Sequence, residues 1–505
     1  MYLVKKTKSP KKENMSFIEK LEDELNVNTT ENGALGYKTT KSALVDFNFK
    51  VSSYRNKSQK TIIRDFKEVW GENKELAYKY LFYIRDIREG LGERRLFRTI
   101  LPSIEKYLDE SVFDLIMEFG RADDMFALKG TSLEDKMVTY IQNTLIQDTI
   151  NSNECESVSL LVKWLPSPTT SSKETQELAK WLYKKMGLTE KEYRKILSGL
   201  RKYLDVTEKK MCAKQWGEID YSKVSSQANL RYNNAFLRND EERRRNYLSD
   251  LEKGKTTINS STLFPHDIVY KYRSGSDYDV VFEEMWKALP DYVKGNSNTL
   301  VVRDGSGSMT WNNVGSSGAK PIDVATALSI YFSERAEGQF KNKFITFSSR
   351  PGLVDLSRLS SLKDKIVKCF RYGDCSNTDI ARTFDLVLDV AVNNKLKQKE
   401  IPNLLIISDM EFDRVYYGDK TKLFDGIAQK WRSHGYEMPR LIFWNICSRT
   451  NTIPLTQNKN GVILVSGFSP AIVNMVLSEK LNPYDALVEQ LHKERYAKVI
   501  LKEEN

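Results

Sequence analysis

Leu300-Val301-Val302-Arg303-Asp304-Gly305-Ser306-Gly307-Ser308-Met309 is the stretch whose reading decides the fold of this chain. An apolar run of strand length leads into Asp-x-Ser-x-Ser on a glycine-permitted loop, so one carboxylate and two hydroxyls cluster just past a strand end. All three are oxygen donors, the hard set that Mg²⁺ or Ca²⁺ takes. Working outward, four more short apolar runs follow at 344–347, 404–407, 441–444 and 462–465. Helical stretches lie between them over 321–336, 379–394, 420–433 and 469–480. Near-continuous apolar strands alternating with helices predict a parallel sheet covered on both faces, a doubly wound α/β domain. In such a sheet ligands bind at the carboxyl ends of the strands.

Two further pieces fall where that edge predicts them. Ser376-Asn377-Thr378-Asp379 is a turn ahead of the helix expected from Ile380, and Thr378 offers a third hydroxyl. Ile407-Ser408-Asp409-Met410 ends a buried strand with a second carboxylate, Asp409. Together these resemble the metal-ion-dependent adhesion site of von Willebrand factor A domains. That resemblance implies one divalent cation held by Ser306, Ser308 and Thr378, with Asp304 and Asp409 acting directly or through water. It also implies a partner protein that completes the shell with a carboxylate. Hydroxyl and water ligands favour octahedral Mg²⁺ over Ca²⁺. The competing reading makes Asp304–Ser308 a polar turn and Asp409 a helix cap.

Ahead of residue 300 the rhythm is different. Residues 1–31 read as a tail, basic and proline-interrupted over 5–12 and polar without period over 26–32. Residues 32–292 read as α-helical. Leu76, Tyr80, Tyr83, Ile84 and Ile87 share one helix face, which Gly90 and Gly92 terminate. Ser171 with Glu174 and Thr189 with Glu192 fit capping boxes. An apolar helix over 157–165 stops at Pro166 and Pro168. Amphipathic helices joined by short turns predict a bundle or solenoid, although no fixed-period repeat is present. Residues 294–298 read as a linker, and 298–505 as the α/β domain.

The whole layout resembles Ro proteins, whose module is named TROVE for telomerase, Ro and vault. The residues that carry this are Asn32-Gly33-Ala34-Leu35, Ser42-Ala43-Leu44-Val45-Asp46, the run Arg85-Asp86-Ile87-Arg88-Glu89-Gly90-Leu91-Gly92-Glu93-Arg94-Arg95, and Gly120-Arg121-Ala122-Asp123-Asp124. The chain looks closer still to an uncharacterised Ro-like family of bacteria, phages, large DNA viruses and plants. There the matching residues are Lys163-Trp164-Leu165-Pro166-Ser167, Glu192-Tyr193-Arg194-Lys195-Ile196-Leu197-Ser198 and Ile407-Ser408-Asp409-Met410-Glu411-Phe412-Asp413. The resemblance implies a helical platform that contacts structured RNA, and Arg94, Arg95 and Arg121 are the candidate contacts.

Composition narrows the alternatives. The net charge is +10 over 505 residues, which eases contact with a polyanion without identifying one. The apolar runs fall far short of a membrane span of ~20 residues, and the first residues have no signal-peptide core. Five cysteines without a C-x-x-C pair predict a reduced, cytoplasmic protein. Three isolated histidines build no zinc site, and G-x-S-x-G is absent. Gly254-Lys255-Thr256 lacks the earlier glycine of a phosphate loop, because residue 249 is Ser. The expectation is a non-enzymatic binding protein, with RNA on the helical half and a metal-dependent A-like domain that recruits a protein. The alternatives are a protein assembly factor without RNA and, last, a metal-assisted phosphodiester hydrolase.

Overall fold

The computed structural model describes residues 16–501, except 276–278, 294, 296–297, 312, 315–317, 348–349, 373–376 and 419–420. Ser376 of the predicted turn, most of the predicted linker and the first half of the predicted tail lie outside the described residues.

The α/β expectation is met by six strands: β1 Thr299–Asp304, β2 Lys343–Phe347, β3 Gly352–Asp355, β4 Asn403–Ser408, β5 Leu441–Asn445 and β6 Val462–Ser466. Their order is β3-β2-β1-β4-β5-β6, parallel throughout except for the antiparallel edge strand β3. The apolar runs did not foretell β3. Of its four residues only Val354 is buried, so it carries no apolar run to read. The register sets Val302 opposite both Ile345 and Ile406, and Ile406 opposite Phe443. These side chains share one face and form its core with Phe384 and Trp431. On the other face lies helix Pro321–Arg335, buried at thirteen positions. There the guanidinium of Arg303, itself fully buried, donates to Thr326 Oγ1 and to the Cys369 carbonyl, both at 3.0 Å.

The chain forms two compact units that do not follow its order. One joins the described residues up to Ala77 with Leu263–Ala497, and the other spans Tyr78–Thr262 with the described residues from Lys498. Residues the sequence assigned to a tail and a helical domain therefore belong with the sheet. Helix Ala43–Phe49 is buried at six of its positions, and Ala34, Val45 and Phe49 join the core of Leu300, Leu404 and Leu464. A seven-residue helix buried nearly all round has no polar face, so periodicity could not assign it. Helices Pro265–Arg273 and Asp279–Lys287 sit with Pro321–Arg335. Arg273 Nε pairs with Asp323 at 2.7 Å, and Trp286 Nε1 donates to Glu334 at 2.6 Å.

The second unit is helical, as expected. Glu190–Tyr203 opens on the predicted Thr189/Glu192 box. Helix Lys173–Lys185 is capped by Ser172, one residue after the predicted Ser171, and the apolar helix shrinks to Leu161–Trp164.

Residues 28–37 run as a strap along the carboxyl-edge loops of the sheet. Asn28–Thr29 pairs with Leu35–Gly36, and Tyr37 exchanges backbone hydrogen bonds with Ile453. A Cβ on Gly36 would stand 2.6 Å from Thr452 Cγ2 and 2.8 Å from the Ile453 carbonyl. Gly36→Ala is expected to lower stability by about 1–3 kcal/mol and to speed amide exchange over 28–37. Thermal unfolding and hydrogen exchange check this, and an unchanged strap would contradict it.

Candidate functional site

Strand order reverses between β1 and β4, so the loops leaving these two strands diverge and open a crevice at the carboxyl edge. Asp304 closes β1 and Asp409 follows β4. Both are buried, at 0% and 1% exposure. Ser408 Oγ donates to Asp304 Oδ2 at 2.6 Å and accepts from the Met410 amide, while the Ser306 amide donates to Asp304 Oδ1 at 2.9 Å. Ser306 Oγ and Ser308 Oγ lie 3.0 Å apart, and the Ser308 side chain hydrogen-bonds Asp409. The Ser306 side chain likewise hydrogen-bonds Asp304, so each serine hydroxyl serves one of the two carboxyl groups. Four of the five predicted residues thus form one hydrogen-bonded group.

Thr378 stands at the same edge. Its hydroxyl lies 2.9 Å from the carbonyl of Glu411, two residues beyond Asp409, and 2.6 Å from Asp413 Oδ1. Between Asp409 and Glu411, Met410 is buried at φ 63°, a left-handed backbone that a non-glycine residue rarely adopts. Beyond that turn Asp409 and Glu411 both meet residues of the 448–450 loop, while Asp413 meets Thr378.

Two buried carboxylates side by side repel each other. Burial and then the charge of Asp304 push Asp409 up to about 7, against the pull of Arg449 and the Ser308 hydrogen bond. Burial also raises Asp304, opposed by hydrogen bonds from Ser408 and Ser306. Arg449 Nη1 stands 3.2 Å from Asp409 Oδ2 and shares its charge with Glu31. Among the described residues, no three His, Cys, Asp or Glu side chains gather as a metal-binding group. A cation here would lean on hydroxyl and water oxygens, and this donor set suits a hard divalent ion.

The sequence did not single out the supporting residues. Glu411, fully buried, accepts from Ser448 Oγ, the amides of Arg449 and Thr450 and, from the strap, the Glu31 amide at 2.7 Å. The spacing of Asp409, Glu411 and Asp413 was a visible signal, but their partners come from distant segments. A cavity of about 120 Å³ opens beside Ser308, lined by Ser53, Asn56, Lys57, Cys447 and Arg449 among others.

The predicted RNA residues are on the helical unit. Arg94 and Arg95 are exposed. Partial desolvation and then the neighbouring Arg121 and Arg98 lower the pKa of Arg94. Arg121 is differently placed, with both ends of its guanidinium on Asp123 at 2.9 and 2.6 Å and the group stacked 4.0 Å over Trp164.

Comparison with known proteins adds kinship. Residues 298–504 match the model of a domain of unknown function, DUF7788, and residues 30–102 and 135–301 match a second, DUF2828. The "Uncharacterized protein L728" of Acanthamoeba polyphaga mimivirus is 32% identical, over 92% of this chain and 87% of its own length. The chain belongs to the same family as this viral protein. Kinship with an uncharacterised family of large DNA viruses is as expected, and neither description mentions a Ro or von Willebrand A module. The α/β unit needs both matched regions, because 30–77 and 263–297 come from the one and 298–497 from the other. No helix among the described residues is long and apolar enough to cross a membrane.

The raised pKa of Asp409 has a definite sign in stability. The folded protein keeps a proton that the unfolded chain releases between its ordinary value of 3.8 and about 7. Stability therefore falls as pH rises through that window, and the loss is complete above it. In EDTA, Asp409→Asn removes this fall and is expected to be more stable than wild type at pH 8, by about 1 kcal/mol. Unfolding temperatures at pH 5 and pH 8 check it, and parallel behaviour of the two proteins would contradict it.

Proposed function

We propose that this is a non-enzymatic binding protein with a von Willebrand A-like ion site in its α/β unit and an RNA-contacting surface on its helical unit. The observation that carries the ion site is the buried Asp304–Asp409 pair with Ser306 and Ser308 at the sheet's switch point. Thr378 would be the third hydroxyl ligand. A divalent cation, Mg²⁺ by its preference for oxygen and water ligands, supplies an electrophilic seat for a carboxylate on a partner protein. The chain's own residues do the rest. Ser408 and Ser306 hold Asp304, Ser308 hydrogen-bonds Asp409, and Arg449 flanks the approach.

Titration calorimetry with Mg²⁺ or Mn²⁺ on the full chain tests this. One ion per chain is expected, and Asp304→Ala should abolish binding while the protein stays folded. EDTA should release proteins that co-purify with wild type and find none to release from Asp304→Ala. Wild type that takes up no ion overturns the reading.

The RNA surface rests on the exposed Arg94 and Arg95 and on the likeness to Ro. Affinity for structured RNA should fall steeply from about 50 to 200 mM salt, as release of several counterions requires. Arg94→Ala with Arg95→Ala should weaken it without unfolding the protein. Arg121→Ala should lower thermal stability as well, since it strips Asp123 and Trp164 of a partner. Absence of RNA binding at about 50 mM salt would favour a protein assembly factor.

A further inference from the structure

Thr378 is 2% exposed and lies beneath the strap, whereas Asn32 of the strap is at the surface above it. A threonine hydroxyl has one proton and two lone pairs. Two acceptors are in reach of the proton, Asp413 Oδ1 at 2.6 Å and the Glu411 carbonyl at 2.9 Å. The carboxylate is the stronger and the nearer. Asp413 Oδ2 also takes the Thr378 amide, at 2.8 Å, which fixes the carboxylate's orientation. Asn32 Nδ2 donates into one lone pair of Thr378 Oγ1 at 2.8 Å and also reaches the Glu411 carbonyl at 2.7 Å. A carbonyl only accepts, so the end of the Asn32 amide that faces it must be the NH₂ group. Among the described residues no second donor reaches Thr378 Oγ1, which leaves one lone pair by count. A hydroxyl ligates a cation through such a pair, with its proton turned away.

The backbone of the strap keeps Asn32 in place from both sides. Its carbonyl accepts from the Arg414 amide at 3.2 Å, Gly33 bridges to Asp413, and Thr30 Oγ1 donates to the Phe412 carbonyl at 2.7 Å. Next to it, Glu31 ion-pairs with Arg449, the cation on Asp409. Two consecutive strap residues therefore each act on a different predicted ligand through one intermediary or none.

We propose that Asn32 is a positioning residue of the divalent-ion site, setting the direction of the lone pair that Thr378 keeps for the ion. This rests on reading Asp304, Ser306, Ser308, Thr378 and Asp409 as ion ligands. It extends that reading by making the site the joint product of the N-terminal strap and the α/β sheet. Groups that orient metal ligands from outside the coordination shell typically account for 10–100-fold in affinity.

The test uses the full-length chain and Mn²⁺, with bound ion read by electron paramagnetic resonance. Asn32→Ala removes the donor. Asn32→Asp keeps the shape but sets an acceptor against the Glu411 carbonyl. Each should weaken Mn²⁺ binding about 10–100-fold while circular dichroism stays that of wild type. Combined with Thr378→Ala, Asn32→Ala should cost almost nothing further, because an effect that acts through Thr378 vanishes when Thr378 is gone. A merely structural role would add in full. Asn32 variants within about two-fold of wild type, or additive losses in the double variant, overturn the inference and leave the ion site standing. Wild type without Mn²⁺ binding overturns the ion site itself, and this inference with it.

Discussion

Two like charges are buried side by side at the end of a parallel sheet, and much of the surrounding architecture answers to that constraint. Asp304 and Asp409 arrive there because β1 and β4 are adjacent and parallel, and their connections leave in opposite directions. A carboxylate in such a place must be hydrogen-bonded, paired or protonated. All three occur. Ser408 and the Ser306 amide serve Asp304, Ser308 and Arg449 serve Asp409, and Asp409 is pushed toward the neutral form. The arrangement is costly to an ion-free fold, and a divalent cation would relieve it.

The strap at 28–37 and helix Ala43–Phe49 change what the α/β domain is. The sheet's core is incomplete without Ala34, Val45 and Phe49, and its loops are tied through Glu411 to Glu31 and through Thr378 to Asn32. The chain thus closes on itself, with the helical unit as an excursion between Tyr78 and Thr262. The matched family regions meet near residue 300, inside the span Leu263–Ala497 that belongs to the α/β unit.

The central strands were legible because they are buried on both faces and read as apolar runs. The Asp-x-Ser-x-Ser loop was legible because its donors are consecutive in the chain. Asp409 could be placed from the strand it ends. What escaped was whatever depends on distant partners or on short elements. Edge strand β3 has one buried residue, so it left no run. Asn26 to Asn32 looks like a polar tail because, from Asn28 on, polar groups are turned to loops more than 370 residues away, as in the Thr30–Phe412 and Asn32–Glu411 hydrogen bonds. Arg121 entered as a candidate RNA contact through the Ro resemblance alone; its carboxylate partner lies only two residues on, and the Trp164 ring beneath it could not be read from spacing.

The claim on which the account stands is that Asp304, Ser306, Ser308, Thr378 and Asp409 hold one divalent ion. The most direct measurement is an anomalous-difference map from crystals of the full-length protein grown with Mn²⁺. The account predicts a single strong peak at the carboxyl edge between β1 and β4, with hydroxyl and carboxylate oxygens at about 2.0–2.3 Å. An empty crevice with Arg449 still on Asp409, or a peak elsewhere on the chain, would contradict it.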